Sequence, residues 1–224
     1  MKLTFRVEEG ARLGSLLWEF GPGWRMISSA MLGGGIGARA WVLNAQVVAG
    51  YARMDPAEHL RSLGPAGDGV GMMTAASVDR YARAADGGVE AVATVGLRVP
   101  TWAAAPEGAE DLELAPMRVG TVNIVTVLPV AMTDAALVNT VMTVTEAKTQ
   151  ALIEAGFPCT GTASDAVCVV VPADVPADVP ADVPAGGSRE VFGGPRSEWG
   201  ARVARAVHQA VRRGAEAWRV HHSK

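Results

Sequence analysis

One stretch constrains this chain more than any other: Gly120-Thr121-Val122-Asn123-Ile124-Val125-Thr126-Val127-Leu128, followed by an apolar segment from Thr133 to Gly156. The first part predicts a buried strand and the second a long helix. Residues two apart on a strand share a face and lie about 6.5–7 Å apart. Thr121 and Asn123 therefore form a polar pair, continued on their own face by Val125 and Val127, while Val122, Ile124 and Leu128 make the other face apolar. That pattern predicts a site at one end of a core strand. At about 100° per residue, Leu137, Val141, Val144, Ala151 and Ala155 form one stripe of the helix, and Lys148 falls in its middle. The chain carries 17 arginines and three lysines, and the other two lysines are Lys2 and Lys224. A lone interior lysine on a core-facing stripe either snorkels to the edge or is buried with a partner and a purpose.

Half the residues are hydrophobic (49%), enough for a core built mainly from small Ala, Val and Gly side chains. The net charge of −3 argues against nucleic-acid binding. Cys159 and Cys168 lack metal-ligand spacing and fit a reducing compartment. The opening residues have no apolar signal-peptide core, and no uncharged apolar run is long enough for a membrane span. The expectation is a soluble, cytoplasmic protein forming one domain over residues 1–224.

The remaining segments take their places around the central strand and helix. Residues 1–20 carry no pattern that decides their structure. Trp24 to Ala30 predicts a short strand running into Gly33-Gly34-Gly35, where positive φ and exposed amides would suit a ligand-contacting loop or a plain turn. Ala40 to Val48 predicts a strand with Asn44 and Gln46 on one face. Asp55, Pro56 and Glu58 read as N-cap, first helical residue and capping-box acid, with His59 exposed on that helix. Gly67 to Ser77 leads into an apolar strand or helix start with Thr74 and Ser77 as polar candidates, and Val89 to Leu97 predicts a strand. Residues 103–116 read as a loop, Phe157 to Asp165 as a polar turn, and Ala166 to Val171 as a buried strand. Three Pro-Ala-Asp-Val units over 172–184 predict an extended loop. A helix from about Ser197 to Trp218 closes the chain, its arginines on a solvated face. The fold class expected is mixed α+β, a single layered domain with helices covering Val-rich sheet; a two-sheet αββα sandwich is the alternative.

Several short motifs occur together and in order: Ser28-Ser29-Ala30 with Gly33-Gly34-Gly35, Gly71-Met72-Met73-Thr74-Ala75-Ala76, Thr94-Val95-Gly96-Leu97, Gly120-Thr121-Val122-Asn123-Ile124, Thr145 to Leu152, and Thr160-Gly161-Thr162-Ala163-Ser164-Asp165. In this set the chain resembles the adenosylcobinamide amidohydrolase family of corrinoid salvage, from about Trp24 to Trp218. The Pro-Ala-Asp-Val expansion departs from the family pattern.

The resemblance implies hydrolysis of the amide joining a corrin propionyl side chain to aminopropanol, giving adenosylcobyric acid and 1-amino-2-propanol. The partner is then a small-molecule corrinoid that brings its own cobalt, so no cofactor or protein-bound metal is expected, and neither nucleic acid nor membrane takes part. Oligomeric state is left open. Amide hydrolysis needs a nucleophile, a proton for the departing amine and donors for the oxyanion. The catalytic candidates are Thr121 or a water held near it as nucleophile, with Ser28, Ser29 or a bare water left open, Lys148 with a pKa lowered by desolvation as base or proton donor, Asn123 or the glycine-loop amides as oxyanion donors, and Glu146. Glu146 and Lys148 differ by about 200° around a helix and should not share one site. Substrate-binding candidates are Ser28, Ser29, Gly33, Gly34, Gly35, Asn44, Thr74, Thr162 and Asp165. A corrinoid-binding protein without hydrolysis, and a phosphate binder using the glycine run, are the competing readings.

Overall fold

The computed structural model describes residues 1–109, 120–173 and 189–222. The loop expected over 103–116 lies outside these residues from 110 onward, and the Pro-Ala-Asp-Val tract from 174 onward. The elements run β1 (Lys2–Glu8), β2 (Ala11–Glu19), β3 (Trp24–Ser28), β4 (Gly35–Ala38), β5 (Trp41–Gln46), α1 (Pro56–Leu63), β6 (Gly69–Thr74), β7 (Ala82–Asp86), β8 (Val89–Gly96), β9 (Thr121–Val127), α2 (Asp134–Glu154), β10 (Ala166–Pro172) and α3 (Glu198–His222). They build two mixed sheets, one ordered β1-β2-β5-β6 and the other β4-β3-β10-β9-β8-β7.

The layering follows from where each apolar face goes. Leu16, Trp18, Val42, Val70 and Met72 of the smaller sheet pack against Met26, Val92, Val125, Cys168 and Val170 of the larger one, so the sheets stack face to face. The other face of the larger sheet, including Val122, Ile124, Val167 and Val169, is covered by Leu137, Val144, Ala151 and Leu152 of α2 and by Val203, Val207, Ala210 and Val211 of α3. Leu60 of α1 joins Trp41, Leu43 and Ala45 on the far face of the smaller sheet. The αββα sandwich is therefore the correct form of the mixed α+β expectation. Strands buried on both faces explain why β9 and β10 read as near-continuous Val and Ile.

The central strand and helix come close to their expected limits. Thr133 caps α2 by accepting a hydrogen bond from Ala136 N–H. At the other end Phe157 N–H reaches Leu152 C=O and Gly156 N–H reaches Ile153 C=O, a Schellman closure. The undecided opening residues form a hairpin, β1–β2, whose two-residue turn puts both Glu9 and Gly10 at positive φ. Glu-Gly is not one of the common turn pairs for this geometry, which hid the hairpin in the sequence.

Two expectations for α1 need correction. Asp55 makes no side-chain cap; its carboxylate binds Arg53 instead, and Glu58 pairs with Arg61. His59 is not exposed but 3% accessible, with Nε2 2.9 Å from Glu8 and Nδ1 3.0 Å from the Tyr51 hydroxyl. A tertiary contact that ties α1 to β1 overrode the local capping signal. The arginines of α3 also do more than meet solvent: Arg205 grips Asp86 through two hydrogen bonds and Arg213 donates to the Arg83 carbonyl, fastening α3 to β7.

Candidate active site at one end of the sandwich

Strand directions bring chemistry to a single end. β9 and β10 run parallel and begin there, β8 and β3 are antiparallel to their neighbours and finish there, and β6 ends opposite β9. Gly96 thus pairs with Thr121, Asn123 with Ala166, and the Asn123 side chain reaches Met73 at the end of β6. The turn Thr160–Asp165 precedes β10 and lies over the same end.

Lys148 reaches this end from α2. Its ammonium lies 2.5 Å from Asp165 Oδ2, and both side chains are nearly closed off, at 9% and 10% accessibility. Asp165 is saturated with donors. Val122 N–H donates to Oδ1 at 2.8 Å, the Thr162 hydroxyl lies 2.5 Å from that oxygen, and Thr162 N–H donates to Oδ2 at 3.1 Å. A carboxylate so held is an anchor: it fixes the ammonium and the turn in one geometry. An ammonium has three donors, and Asp165 takes one. Of the two places expected for Lys148, snorkelling to the edge or burial with a partner, the structure shows the second, with Asp165 as the partner.

Gly161 makes room for the pair. A Cβ there would overlap Asp165 Oδ2 and crowd the Lys148 ammonium, and its φ of 155° is itself outside the range that side chains favour. Beside the pair, the Thr121 hydroxyl lies 2.9 Å from the Ser164 hydroxyl, and Ser164 also reaches the Gly120 carbonyl at 3.0 Å. Thr121 is buried and Ser164 exposed, so this hydroxyl pair leads from the interior to the surface. Cys159 lies under the same turn. Burial, first, and Asp165 push its thiol up, against the opposing Gly161 N–H and Lys148, so it remains a thiol.

A second polar junction lies between the sheets. Asn123 Nδ2 donates to Asn44 Oδ1 at 2.9 Å and to the Met73 carbonyl at 3.0 Å, while its Oδ1 accepts from Ala166 N–H. Asn44 in turn donates to the Thr94 hydroxyl at 3.0 Å. Both amide hydrogens of Asn123 are committed to protein acceptors. Its expected place as an oxyanion donor is therefore corrected to that of an inter-sheet tie.

A cleft of about 220 Å³ opens at this end, between the last turns of α3 and the strand ends. Gln46, Ala76, Arg80, Gly96, Arg98 and Trp218 are among its walls. Gln46 lies on a predicted strand face and Ala76 and Gly96 lie in the motifs quoted above, whereas sequence reasoning singles out neither Arg80, Arg98 nor Trp218 as a site residue.

The sequence model of the adenosylcobinamide amidohydrolase family matches residues 2–223. The chain belongs to this family. A curated relative, the adenosylcobinamide amidohydrolase of Methanosarcina mazei, is 30% identical over 100 residues, which are 44% of this chain and 48% of that protein. The chain thus spans about half the length of the curated relative it matches.

The motifs that carry the family resemblance meet at the end just described, with informative exceptions. Thr74, Asn44, Asn123, Thr121, Lys148, Thr162 and Asp165 all gather there. Thr74 spends its hydroxyl oxygen on Ala76 N–H, a local turn bond. Ser28 donates to the Val167 carbonyl and accepts from Ala30 N–H, and Ser29 accepts from Val167 N–H, so both serines fasten their loop to β10.

The glycine run is placed elsewhere. A Cβ on Gly33 would overlap the Gly69 carbonyl and one on Gly34 the Ala30 carbonyl, while Gly35 opens β4. Gly69 begins β6 and Thr74 ends it, which separates them by about 17 Å of strand. Gly33 is thus glycine for backbone packing on the start of β6, away from the site, and Gly34 for packing against the backbone that follows β3. Glu146 is also not brought in: it is exposed on the outer face of α2, as the helical angle to Lys148 required. Among the described residues no three His, Cys, Asp or Glu side chains are grouped as a metal site, and no helix is long and apolar enough to cross a membrane.

Proposed function

We propose that this protein hydrolyses the amide between the corrin propionyl side chain and aminopropanol of adenosylcobinamide, releasing adenosylcobyric acid and 1-amino-2-propanol for cytoplasmic corrinoid salvage. The observation that carries the reading is the Lys148–Asp165 pair at 2.5 Å, set beside the Thr121–Ser164 hydroxyls in a chain of this family. The scissile amide approaches at the exposed Ser164, where the hydroxyl pair meets the surface. The oxygen of Thr121, or of a water it holds, adds to the amide carbon as its proton passes through the Ser164 hydroxyl to solvent. The C–N bond then breaks and the amine leaves with a proton from Lys148, which solvent replaces. Where Thr121 is the nucleophile, a water then hydrolyses the resulting ester, freeing adenosylcobyric acid and the hydroxyl.

Lys148 serves this sequence through the N–H groups that Asp165 does not take. They face the carbonyl oxygen as negative charge develops on it and supply the proton that the departing nitrogen requires. Asp165 is a positioning residue, because its oxygens are filled by Val122, Thr162 and Lys148. The substrate's cobalt is cargo, and the proposed reaction uses no resident cofactor.

The test is direct. Protein treated with a chelator is incubated with adenosylcobinamide, and the corrinoids are separated and weighed. Adenosylcobyric acid is the expected product. Substrate that binds but stays intact would replace the reading with a corrinoid-binding protein, and absence of both binding and reaction would overturn it altogether.

A further inference from the structure

The open edge of the smaller sheet carries information of its own. β1 pairs only with β2, and among the described residues no strand lies on its outer side. Glu8 sits opposite Ala11 across a two-residue turn, so the even residues Lys2, Thr4, Arg6 and Glu8 aim their backbone groups at β2. Leu3, Phe5 and Val7 aim theirs outward.

The other sheet edges are blunted. Leu32 accepts from Gly71 N–H beside β6, β4 is a four-residue strand, and Arg213 of α3 reaches the Arg83 carbonyl of β7. β1 has neither a proline nor a bulge to protect it.

The side chains of β1 are unusual for a solvated edge. Leu3, Phe5 and Val7 stand on one face at 37%, 42% and 77% accessibility. Lys2, Thr4, Arg6 and Glu8 stand on the other. An antiparallel two-fold pairing of β1 with itself must set odd residues opposite odd residues to satisfy the outward groups. With Phe5 opposite Phe5, Leu3 meets Val7 and Lys2 meets Glu8, whose carboxylate also binds Arg6 and His59 of its own chain. With Phe5 opposite Leu3, Lys2 would meet Arg6; with Phe5 opposite Val7, Arg6 would meet Arg6. Like charges directly opposite destabilise a pair and unlike charges support it.

We propose that β1 is a dimerisation edge, pairing antiparallel with β1 of a second copy about a two-fold axis at Phe5. The smaller sheets of the two copies then run on as one sheet. About six backbone hydrogen bonds form, from the N–H and C=O groups of Leu3, Phe5 and Val7 in both strands. The apolar stripe is covered, and Lys2 lies across from Glu8 on the opposite face. This is an isologous contact, closed by its own symmetry.

Sedimentation equilibrium on the full chain should give the mass of a dimer. Phe5→Glu sets two carboxylates opposite each other and should weaken the dimer at least about tenfold. A cysteine series reads the register. The native Cys159 and Cys168 are buried and do not interfere. At position 5 the paired Cα atoms would be about 5.5 Å apart, within disulfide range, so Phe5→Cys should oxidise to a covalent dimer. Leu3→Cys should not cross-link with itself, since a four-residue offset is about 13 Å, yet should cross-link in a mixture with Val7→Cys. A wild-type monomer, a dimer unaffected by Phe5→Glu, or Leu3→Cys cross-linking as readily as Phe5→Cys would each overturn the proposal.

Discussion

Two buried polar junctions occupy the same end of this sandwich, and they differ in what they leave unspent. The Asn44–Asn123–Thr94 junction is neutral and closed. Both amide hydrogens of Asn123 go to protein acceptors and its oxygen accepts from Ala166 N–H. The Lys148–Asp165 junction is charged. Asp165 is saturated, but its ammonium partner keeps donors in hand and lies beside a hydroxyl pair that leads to the surface. Burial and polarity alone do not separate the two; unspent hydrogen-bonding capacity does. The first junction ties the two sheets together, and the second leaves donors for the substrate proposed above.

Substitutions should divide along the same line. Lys148→Met keeps the volume and removes the ammonium, and should lower kcat by roughly 10²–10⁴-fold. Circular dichroism should show the fold intact, while product release measured by mass spectrometry shows the loss. Gly161→Ala drives a methyl group into Asp165 and Lys148 and should cost roughly tenfold in kcat with only a few degrees of Tm, since it displaces the pair without removing it.

Asn123→Ala should show the opposite balance. It strands the Met73 carbonyl, Asn44 and Ala166 N–H, and should cost about 2–4 kcal/mol in urea unfolding. Its kcat should change far less than that of Lys148→Met. A large kcat loss at unchanged stability would erase the contrast between the junctions.

Two smaller effects lie outside that end. Burial holds the His59 pKa below the ordinary histidine range, with Glu8 opposing. The unfolded chain therefore takes up this proton first, and stability should fall as pH drops below about 6.5. Urea unfolding between about pH 5.5 and 7.5 should show a flatter pH slope in His59→Gln. Smallest is Thr126→Val. The Thr126 hydroxyl is fully buried and has no hydrogen-bond partner among the described residues, so the isosteric change should raise stability by up to about 1 kcal/mol.

Much of this arrangement was legible in the chain because it follows from periodicity. A period of two placed Thr121 and Asn123 on one face of a strand that proved to be β9, and a period of 3.6 placed Lys148 inward and Glu146 outward on α2. What periodicity does not carry is partnership. Nothing in the spacing says that Asp165 belongs to Lys148, since the two lie on different elements and meet only when β10 pairs with β9. The same holds for His59 and Glu8, which looked like a surface histidine and an undecided N-terminal residue. The glycine run misled for a related reason. Glycine permits close approach to anything, and in this fold the thing approached is protein backbone, that of β6 at Gly33 and of Ala30 at Gly34.

The most direct test of the contrast is single-turnover conversion of adenosylcobinamide by wild type and Lys148→Met, with corrinoid affinity measured on the same samples. The prediction is comparable affinity with product formation slowed at least about 100-fold in the variant. Product formed by Lys148→Met at the wild-type rate would contradict it, and would remove the charged junction from the chemistry.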